Sequence, residues 1–441
     1  MSFLQSSNTI HFIEHHHYYY QEVIQDENRV GILEHPICFK NNSEKICAAI
    51  WQNGILETNY YIGVDWINNS STKAIYVQPK LNKEASHQTD YLKMLFTALQ
   101  CPDVANYTSD LFEIKWDKPE ITIEQQQDLL TPLLIVQFLS LVKIIVRKGL
   151  KKSYYKVEQN LNSKVKGKVL IGQTIKKNLL NNKTLKTYCS YDEFGLDSLE
   201  NRLLKKALLF VQRYLPTHKN IQADKYTEQM FHYIMPAFET VSDKVDLHQI
   251  KHTKANAFFK EYEEAIKLAK LILKKFGYNI TNTSKQQITT APFWIDMSKL
   301  FELYVLGILK LEYGGKLTFQ DKANYGYTDF LLNNGTEKIV MDAKYKTQYQ
   351  PNKIYFNDYL IKDIRQLSGY ARDVEVLNTL GIHTSDGLTT VPQCLIIYPL
   401  NEYLKKDEKP AINLTEKKAI EQFVNFYKVG VKLPVLSTTQ G

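Results

Sequence analysis

The residues best suited to chemistry sit in one short run. Asp329 lies in Thr328-Asp329-Phe330, the pair Asn334-Gly335 follows, and Asp342-Ala343-Lys344 closes the apolar stretch Ile339–Met341. An Asn-Gly pair between two apolar runs predicts a β-hairpin. With Asn334 and Gly335 as a two-residue loop, Asn333 pairs with Thr336 and Asp329 faces Val340. Cross-strand partners share a face and strands alternate with period two, so Asp329, Asp342 and Lys344 point to one side. Two carboxylates this close repel unless positive charge lies between them. Mg2+ fits, taking hard oxygen ligands and keeping several waters, and Mn2+ is an alternative. Such a metal acidifies a bound water and polarises a phosphoryl oxygen. Lys344 beside it can orient that water or neutralise charge developing on the phosphate. The expected reaction is phosphodiester hydrolysis.

Flanking elements must position this trio. Trp294–Leu311 reads as a helix, in which Glu302 is a polar residue on an apolar background and a candidate third metal carboxylate. Strands are expected at Gly315–Phe319, Tyr327–Leu332, Lys338–Lys346 and Cys394–Tyr398. A helix over Asp358–Asp373 puts Gln366 and Tyr370 on one face at i, i+4. There they can contact substrate phosphate or steady the catalytic strand. Helix, strands, helix, strand is an α/β pattern.

Upstream, the strand–turn–strand pattern Tyr60–Val64, Asn68–Ser71, Ala74–Val77 marks a β-rich region. The period changes near Leu129: Leu129–Val146 is helical and ends at Gly149, and Leu199–Leu215 and Phe258–Phe276 are further helices. The polar stretch Asn279–Pro292 reads as a linker. The expected fold is a multidomain α+β chain: a β-rich region over 1–125, a mainly helical middle over 126–285, and an α/β domain over 286–441.

Charge divides along similar lines. The 441 residues carry net +8, yet residues 1–142 hold 9 Lys/Arg against 17 Asp/Glu, and residues 143–190 hold 13 Lys/Arg against Glu158 alone. The acidic first third suits a protein partner, whereas the basic stretch suits DNA phosphates. Lys164, Lys166 and Lys168 alternate and, on a strand, would form one cationic face. His15–His17 are consecutive, so their side chains diverge and a solvated or interfacial role is expected. Five cysteines lie at no metal-ligand spacing and suit a reducing, cytoplasmic setting. The N-terminus has no signal-peptide pattern, and Leu129–Val146 is too short and polar to span a bilayer, so no membrane role is expected. No Walker A is present, since Gly315-Lys316-Leu317 lacks the upstream Gly and the Ser/Thr.

The ordered set of Glu302, Asp329, Asp342-x-Lys344 and Gln366-x-x-x-Tyr370 resembles the PD-(D/E)xK nuclease superfamily, with the helix of its RecB-like branch. Thr328 stands where Pro is usual. Phe293–Val305 (FWIDMSKLFELYV) and Asp342–Lys346 (DAKYK) resemble, more narrowly, the McrC family, the nuclease subunit of McrBC-type restriction systems. So do Val165–Val169, Tyr191–Phe194, Asn201-Arg202, Ile62–Val64 and Val77–Lys80. The resemblance implies a restriction-endonuclease-like C-terminal domain that cuts double-stranded DNA. It implies an N-terminal region that inserts into a hexameric McrB-like AAA+ GTPase and stimulates it, with GTP bound by that partner and not by this chain. Carried over by position, Asp329, Asp342 and Lys344 are catalytic, with Glu302, Gln366 and Tyr370 in support. Two other functions stay open: a stand-alone PD-(D/E)xK nuclease in repair or RNA processing, and a non-catalytic assembly or GTPase-activating subunit.

Overall fold

The computed structural model describes residues 9–19, 35–50, 55–69, 73–79, 89–101, 104, 107–108, 110–115, 117–124, 130–214, 225–246, 260–277, 287–350, 357–382, 391–405 and 408–435. The chain forms two compact units, one from Met1–Leu133 with Gln287–Gly441 and one from Leu134–Gln286. The first and last thirds, separate in sequence, thus share a unit.

The join in the first unit is a strand. Phe293–Asp296 lies between Tyr61–Trp66 and Phe112–Ile114 in a sheet that also holds Ala74–Gln78 and Thr9–Ile13. The helix expected from Trp294 therefore starts later, at Met297, and runs to Tyr313. Asp296 stops the strand and caps the helix, accepting from the Lys299 N–H at 2.9 Å. Phe293, Trp294 and Ile295 are fully buried, as suits a strand covered on both faces. Trp294 Nε1 donates to the buried Asp65 at 3.0 Å, and Lys115 pairs with the same carboxylate at 2.7 Å. Gly63 is required opposite: a Cβ there would lie 2.0 Å from the Phe293 carbonyl oxygen.

Helix Met297–Tyr313 leads into a second sheet, ordered Leu317–Phe319, Phe330–Asn333, Lys338–Ala343, Gln393–Tyr403, Phe426–Leu433, Lys418–Ala419 among the described residues. Its first pairings are antiparallel. Lys338–Ala343 then runs parallel to Gln393–Tyr403, which runs parallel to Phe426–Leu433. Helix Asp358–Tyr370 supplies the crossover and buries Leu360, Ile364 and Leu367 against Leu331, Val340 and Ile396. Each such side chain contributes about 1.5–3 kcal/mol. Expected strands and helices are recovered here with boundaries shifted by a few residues, and Phe426–Leu433 is an addition.

In the second unit, helices Leu199–Tyr214 and Lys260–Gly277 pack together, and Leu203, Leu204, Ala207, Ile266, Ala269 and Ile272 are buried. Leu215 and Phe258 fall outside the described residues. Asn201 is fully buried, with Nδ2 donating to the Lys151 and Leu196 carbonyls and Oδ1 accepting from Tyr262. This region is not purely helical: Ser153–Asn162 and Lys186–Gly195 form a ten-residue antiparallel ribbon. The stretch read as a linker also contains a strand, Gln287–Thr290, paired with Ile121–Glu124. Among the described residues, no helix is long and apolar enough to cross a membrane.

Candidate active site

The hairpin register is the foundation of the site. Phe330 pairs with Met341, Leu331 with Val340 and Asn333 with Lys338. The loop is therefore Asn334–Glu337, two residues longer than expected. Asn334 builds it: its Oδ1 accepts from the N–H groups of Thr336 and Glu337 at 3.1 and 2.7 Å, an Asx-type turn. Gly335 supplies the positive φ of 95°. Continued by one residue, this register sets Asp329 opposite Asp342 rather than Val340. A shift of two preserves the period-two alternation, so the trio shares a face as expected.

The geometry is tight. The Ala343 N–H donates to Asp329 Oδ2 at 2.9 Å. Lys344 Nζ lies 2.7 Å from Asp342 Oδ2 and donates to Gln366 Oε1 at 3.2 Å. Asp342 is 5% exposed, and the Lys344 ammonium is the cation beside its Oδ2. Burial, then the adjacent Asp342 charge and hydrogen bond, push Asp329 well above the usual carboxylate range. Burial also acts on Asp342, but the Lys344 ammonium and the hydrogen bond from Asp329 outweigh it and hold that carboxyl low. Burial opposes the charge on Lys344 too, yet Asp342, Asp329 and Asp363 raise its pKa. The pair carries one negative charge more readily than two.

Glu302 does not converge on the pair to the same degree. Its oxygens accept from Lys299 Nζ at 3.1 and 3.2 Å and from Gln320 Nε2 at 3.2 Å. Its charge still adds to the upward shift of Asp329. Among the described residues, no group of three or more His, Cys, Asp and Glu side chains is gathered as a metal site. The Asp329–Asp342 pair alone suits a divalent cation chemically: two carboxylates close enough to share a hydrogen bond, one raised by the other's charge.

Of the second helix, Gln366 reaches Lys344, and Tyr370 approaches the segment that leads into Asp329. A Cβ on Gly326 would sit 2.9 Å from the Tyr370 hydroxyl, so this tyrosine packs on the small hairpin Lys322–Tyr327 that precedes Asp329. Asp373 ties the same hairpin through Asn324 N–H and Nδ2, at 2.9 and 3.0 Å.

Sequence reasoning missed a buried set behind the lysine. Asp363 Oδ2 accepts from Lys346 Nζ at 2.6 Å and from the Tyr349 hydroxyl at 2.8 Å. Its Oδ1 is 3.7 Å from Lys344 Nζ. Lys428, 2% exposed, donates to the Tyr349 carbonyl at 2.9 Å. Burial lowers the pKa of both Lys346 and Lys428. A signal existed: Asp363 precedes Gln366 by three on the helix, and Lys346 follows Lys344 by two on the strand.

In the second unit, Lys164 and Lys166 lie in a loop between turns at Ser163 (φ 52°) and Gly167 (φ 68°), and Lys168 begins the short strand Lys168–Val169. The expected lysine ladder on one strand does not form, because positive φ at both ends breaks the extended backbone. All three are exposed, and Lys166 pairs with Glu193 at 3.0 Å and lies over the Tyr191 ring. His15 adopts a positive φ and its Nε2 meets the Tyr60 hydroxyl at 3.1 Å.

No curated protein sequence matches the chain. Among solved structures, one similar chain is from a half-complex of a tetradecameric assembly of Thermococcus gammatolerans McrB AAA+ hexamers with bound McrC, at 16% identity and TM-score 0.39 over 97% of this chain and 95% of that one. Another is from the Thermococcus gammatolerans McrBC complex, at 16% identity and TM-score 0.29 over 68% of this chain and 87% of that one. Both overlaps are weak. The family model for the McrBC 5-methylcytosine restriction system component matches residues 56–379, and the chain belongs to that family.

Proposed function

We propose that the chain is the DNA endonuclease subunit of a McrBC-type restriction system, with a PD-(D/E)xK catalytic domain after residue 286. The observation that carries the reading is the pairing of Asp329 with the buried Asp342, with Lys344 at 2.7 Å from Asp342. Asp329 and Asp342 would hold Mg2+ or Mn2+, with the Glu302 carboxylate adding negative charge nearby. When bound, the ion acidifies a water and polarises the phosphoryl oxygen. Lys344 presents a permanent positive charge to the phosphate, and Gln366 fixes the direction of its ammonium. Lys164, Lys166 and Lys168 contact DNA phosphates without reading sequence. The chain works with an McrB-like AAA+ GTPase hexamer that binds GTP, and it stimulates that hydrolysis.

The test is plasmid cleavage by the chain with its AAA+ partner, GTP and Mg2+. Asp342→Ala abolishes cutting while assembly and GTPase stimulation survive, and Lys344→Ala slows cutting by about 10²–10³-fold. Cutting that persists in Asp342→Ala removes the catalytic assignment. Metal-dependent cutting by the chain alone would favour the stand-alone nuclease.

A further inference from the structure

Lys344 stands between two anions. Its Nζ is 2.7 Å from Asp342 Oδ2 and 3.7 Å from Asp363 Oδ1. Asp342 is also a carboxylate that a divalent cation needs. A cation on that carboxylate repels an ammonium in contact with it, which favours withdrawal of Lys344 as the ion enters. Withdrawal into a buried pocket without a counter-charge is costly. Asp363 is placed to meet that cost. Its Oδ2 is held by Lys346 at 2.6 Å and by Tyr349 at 2.8 Å, while Oδ1 faces Lys344. Tyr349 is itself fully buried and anchored through its carbonyl by Lys428. The carboxylate is therefore fixed, and the lysine, with its four-carbon stem, is the part that moves.

We propose that Asp363 is a positioning residue that receives Lys344 when a divalent cation takes Asp342, so that the lysine and the ion do not compete for one carboxylate. This rests on the metal-dependent nuclease reading above. Asp363 touches neither ion nor substrate and acts through Lys344, with Gln366 as the second acceptor at 3.2 Å.

The experiment is Mn2+ titration of the full chain without DNA, reading free Mn2+ by electron paramagnetic resonance. Two variants replace the anion. Asp363→Asn keeps its shape. Asp363→Asn with Lys346→Met keeps the pocket's net charge and leaves no buried ammonium unpaired, which protects folding and removes any general field effect. Each is made with Lys344 present and with Lys344→Met. In the Lys344 background both variants weaken Mn2+ binding by about tenfold or more. In the Lys344→Met background the charge-balanced variant binds Mn2+ nearly as tightly as its parent, because no lysine remains to compete. Equal loss in both backgrounds, or no loss in either, overturns the proposal. Asp342→Asn separates it from the reading beneath it. If the parent's Mn2+ binding does not depend on Asp342, the metal site itself is wrong and the proposal falls with it.

Discussion

Asp329 and Asp342 are opposed across one hairpin, yet their carboxyls shift in opposite directions. Burial acts on both, and the difference is Lys344, which contacts Asp342 and leaves Asp329 with its neighbour's negative charge. The sign follows for stability. Asp329 has a folded pKa above its unfolded value, so its contribution is fully present below about pH 4 and is lost as pH rises through the folded pKa. Asp329→Asn removes that loss and keeps an acceptor for the Ala343 N–H. In metal-free buffer the variant should therefore melt above the wild type at pH 8, by about 2–4 °C per kcal/mol of strain relieved. The gap should close toward pH 4. Melting curves that stay parallel across this range would show that Asp329 is not held protonated by its surroundings. Gln366 and Asp363 were unequal in the sequence: Gln366 belonged to a motif, while Asp363 was one acid among many until its buried partners were known.

At the scale of elements, the hairpin shows how far local pattern reaches. Alternation alone puts the three side chains on one face, and the two-residue difference between expected and observed register leaves that face unchanged because it is even. The loop length depended on Asn334 bonding back to Thr336 and Glu337, which competes with the two-residue turn that Asn-Gly favours. The strand Phe293–Asp296 reads as the start of a helix in the sequence because a run buried on both faces has no period of two. Its place in the sheet predicts a sharp sensitivity. Gly63→Ala brings a Cβ to 2.0 Å from a backbone oxygen, and the strands must part. A loss of about 3 kcal/mol or more is expected in denaturant unfolding, and a near-neutral result would mean this pairing is not formed. In the second unit, replacing Lys164, Lys166 and Lys168 together by Gln should reduce the slope of log affinity against log salt by about 2–3 for duplex DNA. An unchanged slope would remove these lysines from the DNA contact.

At the scale of the whole molecule, three sequence segments become two compact units, because the strand at 293–296 pairs with strands from 61–66 and 112–114. Residues 286–441 expressed alone should therefore fail to fold cooperatively, leaving Phe293, Trp294 and Ile295 without their neighbours. Broad amide dispersion loss and rapid proteolysis would be the signature. A sharply melting fragment would show that the sheet joining first and last thirds is dispensable. The charge division acquires a similar reading. The acidic first third contributes strands to the unit that carries the candidate active site, so its acidity lies in that unit and not in a separate domain.

Periodicity and residue type in the sequence determined the hairpin, the shared face of Asp329, Asp342 and Lys344, and the helix that carries Gln366. These are local consequences of strand and helix geometry, and they need no knowledge of distant neighbours. Tertiary structure alone decided the buried triad of Asp363, Lys346 and Tyr349 behind the lysine, and the union of first and last thirds. Each depends on which charges and apolar surfaces lose water together, and that is set by contacts between residues far apart in the chain.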